Sequence, residues 1–230
     1  MSAEAASYRD GMRAVLAIAA TVLFFGASFG LLARSSGLGI AAPLVMSATT
    51  FAGSAQFAVA SILGASGGAA AAIAAAVLLN ARYVPISISV ASLFHGRRLR
   101  RLAEAQLIVD ESWAISSRGG GRFDRRLLIG AGVILYVAWV TGTAVGVAGG
   151  AALGDPKDIG LDGAFPALFL ALLVPQLVDR TARMAALLGA VIAFALIPFT
   201  PPGTPIVAAS AACLLGLRRR RAPNERRTRA

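Results

Sequence analysis

Among 230 residues there is one cysteine, Cys213, and one histidine, His95. A disulfide framework needs paired thiols and a Cys/His metal centre needs several ligands, so neither organises this chain. Acids are scarce too, 11 against 22 Lys and Arg, and charged residues of both signs make up only 14% of the sequence. A soluble domain carries about a quarter. No GxxxxGK[ST] occurs, so the chain does not itself hydrolyse nucleotides.

What fills the chain instead is apolar: 57% of residues are hydrophobic and the mean hydropathy is +0.73. Several runs are long enough for the roughly 20 helical residues that cross a bilayer core. No period-2 alternation suggests a barrel, which leaves helices as the way to satisfy the backbone in lipid. A net charge of +11 would point to nucleic acid in a soluble protein. Here the arginines bunch at the ends of apolar runs, at Arg97–Arg101, Arg118–Arg126, Arg180, Arg183 and Arg218–Arg221, as in cytoplasmic loops of a multi-pass protein. No nucleic-acid partner is expected. The first apolar run follows Arg9 and Arg13, lasts about 20 residues and is followed by more spans, so it reads as a retained span and not a cleaved signal.

The expected fold is an all-α polytopic bundle of about 6–7 membrane segments. Residues 1–217 form one integral-membrane domain, and residues 218–230 a basic cytoplasmic tail. The back half threads as spans at about 127–150, 162–178, 184–200 and 203–217, with basic and non-basic loops alternating. The front half does not. Runs at about 14–33, 38–63 and 69–94 would make three crossings and put Arg97–Arg101 opposite Arg9 and Arg13. Either MSATTFAGSAQF (46–57) or the run around Pro85 is therefore expected to be broken or re-entrant, unless the N-terminus is external. QLIVDESWAIS (106–116) is too short to span and reads as a short amphipathic or partly inserted helix.

Candidate site residues are the polar groups that cost most in lipid. On a helical wheel, Thr49, Gly53 and Gln56 share one side of the 46–57 segment and Ser47, Thr50 and Ser54 another, leaving no wide lipid-facing stripe. The segment must be enclosed by protein or line a cavity, because Gln56 facing hydrocarbon would leave amide donors unpaired. Close helix packing and substrate lining both fit. Asn80 and Arg82 fall near the middle of the next run, where an arginine costs about 2.5–3.5 kcal/mol and requires a partner or a wet cavity. Pro85 there removes an amide and clashes with the carbonyl of Ala81. Arg82 either pairs with Asp110, Glu111 or Asp162, or faces substrate, or does both. Asp110 and Glu111 are either the polar face of a surface helix or a proton-titrating pair. A GSAQ serine with His95 would suggest an intramembrane hydrolase, but the spacing offers no supporting acid. Gly142 and Gly146 have the small-xxx-small spacing of a close helix contact, within the chain or with a partner.

The ordered motifs FFGASFGLLARSSGL, MSATTFAGSAQF, LLNARYVPISISVASL, VDESWA and LDGAFPALFLALLVPQL resemble the AzlC-type large subunit of the bacterial branched-chain amino acid exporters, over about residues 14–217. The resemblance implies an inner-membrane secondary exporter of valine, leucine and isoleucine, with methionine a further candidate. It implies drive by the proton motive force, a small multi-span AzlD-type partner subunit, and no enzymatic activity or cofactor. Ser47, Thr50, Gly53, Ser54, Gln56, Asn80 and Arg82 are then expected at the substrate, and Asp110, Glu111 and Asp162 in proton coupling. Gly163 departs from the family, which usually has an aromatic residue after that Asp. A transporter of another small solute and a non-transporting scaffold subunit are the alternatives.

Overall fold

The computed structural model describes residues 6–150, 170, 173, 174, 177–201 and 204–213. Asp162, most of the expected 162–178 span and the tail from Arg218 lie outside them. Among the described residues every regular element is helical, with one isolated bridge between Ser117 and Phe123. The protein is an all-α membrane bundle. Helix α1 (Tyr8–Ala14) starts on a capping box, in which Ser7 Oγ accepts from the Asp10 amide and the Asp10 carboxylate accepts from the Ser7 amide. It leads through Val15 into α2 (Leu16–Ser35). Then come α3 (Ala41–Thr49), α4 (Gly53–Gly64), α5 (Ala69–Asn80), α6 (Tyr83–Val90), α7 (Arg98–Ala105), α8 (Asp110–Ser116), α9 (Arg125–Gly149), α10 (Arg180–Leu196) and α11 (Thr204–Ala209).

Among the described residues, three runs are long and apolar enough to span: α2, Ala69–Leu93 and α9. Half of the apolar window of α9 is buried in protein, against 11% for Ala69–Leu93, so α9 is the axis of the bundle and Ala69–Leu93 lies at its edge. Glycines let α1 and α2 run in near-contact along α9. A Cβ at Gly26 would sit 2.6 Å from the Trp139 carbonyl oxygen, and Cβ atoms at Gly30, Gly142 and Gly146 would overlap the carbonyls of Thr143, Leu23 and Ala27. Gly11 and Gly130 do the same for α1. Lipid tails are as apolar as leucine, so this backbone proximity is what holds membrane helices together. The glycine contact expected at 142 and 146 is thus made within the chain.

The ends of α3 and α4 settle the front-half topology. Helix α3 starts just after α2 stops, and at the close of α4 a Cβ on Gly64 would lie 2.9 Å from Ser36 Cβ. Both ends of the α3–α4 pair therefore sit at the far end of α2. The turn between them lies at mid-depth, where Tyr136, near the middle of α9, donates to the Ala48 carbonyl at 2.8 Å. With 9 and 12 residues, the two helices are roughly 14 and 18 Å long, each about half a bilayer core. MSATTFAGSAQF goes in and turns back. The turn uses Phe51 in the left-handed region, φ 44°, which an L side chain occupies at some strain. The Thr49 hydroxyl has already bonded back to Val45 O at 2.7 Å, an interaction that bends helices.

The Pro85 run behaves differently. Ala81 and Arg82 keep right-handed helical dihedrals, so the missing proline amide interrupts the ladder without reversing the chain. With one re-entrant pair and one crossing, three basic clusters meet at one end of the bundle. Arg125 donates to Tyr8 Oη at 3.1 Å and also pairs with Glu104, which Arg100 holds at 2.8 Å. Burial works to raise the Glu104 carboxyl, but hydrogen bonds from these two guanidiniums outweigh it and hold the group below the ordinary range. From that basic end, residues 106–116 make a second dip. Gln106 Nε2 donates to the Thr49 carbonyl at 2.9 Å, Ile108 and Val109 are buried, and the chain returns so that the Asp124 amide reaches Ser116 O at 2.8 Å.

Candidate functional site

The two dips approach each other from opposite ends, and polar side chains fasten the first. Gln56 Oε1 accepts from Trp139 Nε1 at 3.1 Å and from the Ala52 amide at 3.2 Å, an amide that the break at Phe51 has freed. Its Nε2 donates to Ser47 Oγ at 3.0 Å. Thr143 Oγ1 donates to the Trp139 carbonyl at 2.9 Å, so the 2.8 Å contact between Ser47 and Thr143 must carry the serine proton. Each hydroxyl and both ends of the amide are thereby used. Ser47, Gln56 and Thr143 are at most 1% exposed, where an unpaired polar group would cost about 1–3 kcal/mol. The chain of bonds ties α3 and α4 to α9 and explains why an apolar stretch carries these residues.

In front of this clasp lies a cavity of about 480 Å3. Gly53 and Ser54, at the start of α4, form its floor, and Gly53 allows close approach: a Cβ there would stand 2.9 Å from the Trp139 ring. Arg82 and Tyr83 come from the interrupted crossing, and Asp110 and Glu111 from the second dip. Arg82 Nη2 reaches Asp110 Oδ2 at 3.1 Å and Ser54 Oγ at 3.1 Å, and its guanidinium carbon stands 5.2 Å from the centre of the Tyr83 ring. Both side chains of the ion pair keep over two-fifths of their surface open, 43% and 46%, so they remain available to a ligand. The remaining walls are Val22, Phe25, Phe51, Phe57, Val109, Trp113, Leu135 and Trp139. Phe29, Phe57 and Trp139 brace one another behind them, with ring centroids 5.7–6.3 Å apart. Helix α8 spans nothing, and Glu111 on it opens to the cavity with protein close around it.

Five of the expected residues therefore meet at one cavity: Gly53, Ser54, Arg82, Asp110 and Glu111. Ser47 and Gln56 lie behind its wall. Thr50 is exposed at the re-entrant turn, outside the lining. Asn80, also outside the lining, has its Oδ1 buried without a partner among the described residues. Sequence reasoning passed over Trp139, Thr143 and Tyr83. A tryptophan in the middle of a span must find an acceptor for its indole N–H, and that signal could have found the first. Gly64-Ala65-Ser66-Gly67-Gly68 has the letters of a G-x-S-x-G elbow, but it joins helices α4 and α5. The elbow's strand is missing, so that hydrolase motif is not formed.

The family model described as AzlC protein matches residues 17–153. A membrane protein of Archaeoglobus fulgidus with no described function is 33% identical over 91% of this chain and 93% of its own length. The branched-chain amino acid transport protein AzlC of Bacillus subtilis is 27% identical over 80% of this chain and 73% of its own. A Helicobacter pylori membrane protein, also without a described function, is 24% identical over 81% and 83%. No solved structure matches the chain.

Proposed function

Because this chain belongs to the AzlC family, we propose that it exports branched-chain amino acids across a bacterial inner membrane as the large subunit of a two-subunit carrier. Valine, leucine and isoleucine are the substrates, with methionine a further candidate. An AzlD-type small membrane subunit is the partner, and the proton motive force drives export. The name of the Bacillus subtilis relative supports the substrate class. The basic end of the bundle is assigned to the cytoplasm by its arginines, and with it the C-terminal tail.

One observation carries the reading: an ion pair at mid-depth, with Ser54 and Glu111 beside it, opens on a cavity whose other walls are mostly aliphatic and aromatic. A branched-chain amino acid is a zwitterion with an apolar side chain, and it needs an anion donor, an amine acceptor and a greasy wall. Arg82, Ser54 and the amino end of α4 suit the carboxylate. Asp110 suits the ammonium, and Phe51, Phe57, Val22 and Leu135 suit the branched side chain. In the empty carrier Arg82 and Asp110 satisfy each other, so neither charge waits unpaired in a low-dielectric wall. A zwitterion replaces that pair with two new ones of the same signs. Ser47 and Gln56 serve the site by fixing the floor, while Thr50 and Asn80 lie outside the lining. Glu111, beside Asp110 in the lining of the cavity, is the acid that takes up the coupling proton, and Asp162 remains a further candidate for that role.

Valine efflux from cells preloaded with a valine-containing peptide tests this. Arg82→Gln or Asp110→Asn should lower efflux about 10–100-fold at unchanged membrane levels, the scale of one charged hydrogen bond. A protonophore should stop efflux by the natural chain. Normal efflux by both variants would remove the ion pair from the substrate site, and efflux indifferent to the protonophore would remove the proton.

A further inference from the structure

A second hollow lies at the basic end, between the foot of the Ala69–Leu93 crossing and α7, with a volume of about 350 Å3. We propose that it binds one anionic phospholipid, its acyl chain along Ala91, Phe94, Leu102 and Ile108 and its phosphate on Arg98 and Arg101. Phe94 and Ile108 form a buried apolar floor, continuous with Val90 and Leu128. A soluble anion has no use for such a floor, and an acyl chain does.

The mouth has the complementary charge. Arg98 and Arg101 sit at i and i+3, on neighbouring positions of one helix face, and both line the groove. Neither makes an ion pair or a side-chain hydrogen bond among the described residues, and no acid is among the lining. Arg100, between them, is committed to Glu104. The same eight-residue helix holds Leu99 and Leu102, 82% and 68% exposed. A short helix with strongly cationic positions beside bare leucines, at the end of a membrane crossing, lies in the plane where headgroups meet acyl chains. Basic pockets beside the cytoplasmic ends of spans are where anionic headgroups are held. The assignment does not depend on what the central cavity carries.

The test uses the full chain, purified in detergent, and titrates phosphatidylglycerol against phosphatidylcholine with the same acyl chains, reading bound lipid by native mass spectrometry. One phosphatidylglycerol should be retained at concentrations where phosphatidylcholine is lost. Arg98→Gln with Arg101→Gln should weaken that retention roughly tenfold to thirtyfold, the scale of two arginines near an anionic surface. Arg9→Gln with Arg13→Gln, the same charge change at the same end of the bundle, should leave it intact. Both pairs are exposed, and matching thermal midpoints will show that the variants are folded. Leu102→Glu places an acid in the mouth and should also abolish retention. Equal retention of the two lipids, an equal loss in both arginine pairs, or displacement by millimolar inorganic phosphate alone would each overturn the proposal. So would a soluble acidic peptide that binds the groove in preference to the lipid.

Discussion

Gln56 shows how one side chain can be required in an apolar stretch without touching a ligand. Its carbonyl oxygen collects two donors with no other acceptor, the Trp139 indole N–H and the Ala52 amide, and its amide nitrogen starts the relay to Ser47 and Thr143. This arrangement fixes which end of the amide points where, since only an oxygen can face both N–H groups. Gln56→Leu keeps similar bulk but strands both donors in a site closed to water. The expected loss is about 1–3 kcal/mol of stability, seen as a lower thermal midpoint in detergent. Trp139→Phe removes a donor together with its need for a partner and leaves the Ala52 bond, so its loss should be the smaller. If the two variants melted alike, the clasp would not be holding the turn. The need for an enclosed partner was legible in the sequence, because no amide can face hydrocarbon. The partner was not, since Trp139 and Thr143 lie far away in the chain and nothing in their local spacing points back to residue 56.

Among elements, the pairing of α2 with α9 rests on glycines whose spacing is legible in the sequence but whose partner helix is not. Gly142 and Gly146 fall on the last part of one span with small-xxx-small spacing, and Gly149 lies three residues beyond. Only the first two carry the contact: a Cβ at either would overlap the carbonyl of Leu23 or Ala27, while Gly149 faces open space. Which helix face meets which neighbour is set by packing, and the small-xxx-small pattern reports only that a close approach is possible. Gly146→Leu must therefore push α2 off α9 and with it the floor of the cavity, because Phe29 on α2 stacks on Trp139. The expected result is little or no folded protein in the membrane fraction. Gly149→Leu should accumulate at the natural level. Immunoblotting of membranes followed by size-exclusion profiles distinguishes the two, and equal behaviour would mean that the close helix contact is not what holds α2 in place.

At the scale of the molecule, hydropathy and charge carried different information, and their conflict located the unusual part. A hydropathy window counts apolar residues but is blind to direction, so two half-length helices that enter and leave on one side look like a single span. The arginines are sensitive to side, and three front-half crossings left them on both. The resolution is that α3 and α4 return to the level of Ser36, and that the Pro85 interruption, which also looked suspect, leaves the chain going forward. Proline was the weaker signal because one missing amide can be absorbed by a crossing that keeps its dihedrals. The reversal needed a left-handed residue and freed backbone groups with partners waiting. This arrangement makes a prediction that hydropathy alone would reverse. In a chain with Cys213→Ser, single cysteines replace the exposed Ser35, Ser66 and Arg97 and are treated in whole cells with a membrane-impermeant maleimide. Positions 35 and 66 should both label from outside, although 26 apolar-rich residues from Ile40 to Ala65 separate them, and position 97 should label only after the cells are opened. Had residues 40–65 crossed, positions 35 and 66 would label from opposite sides, and a cavity floored by the turn at mid-depth could not exist.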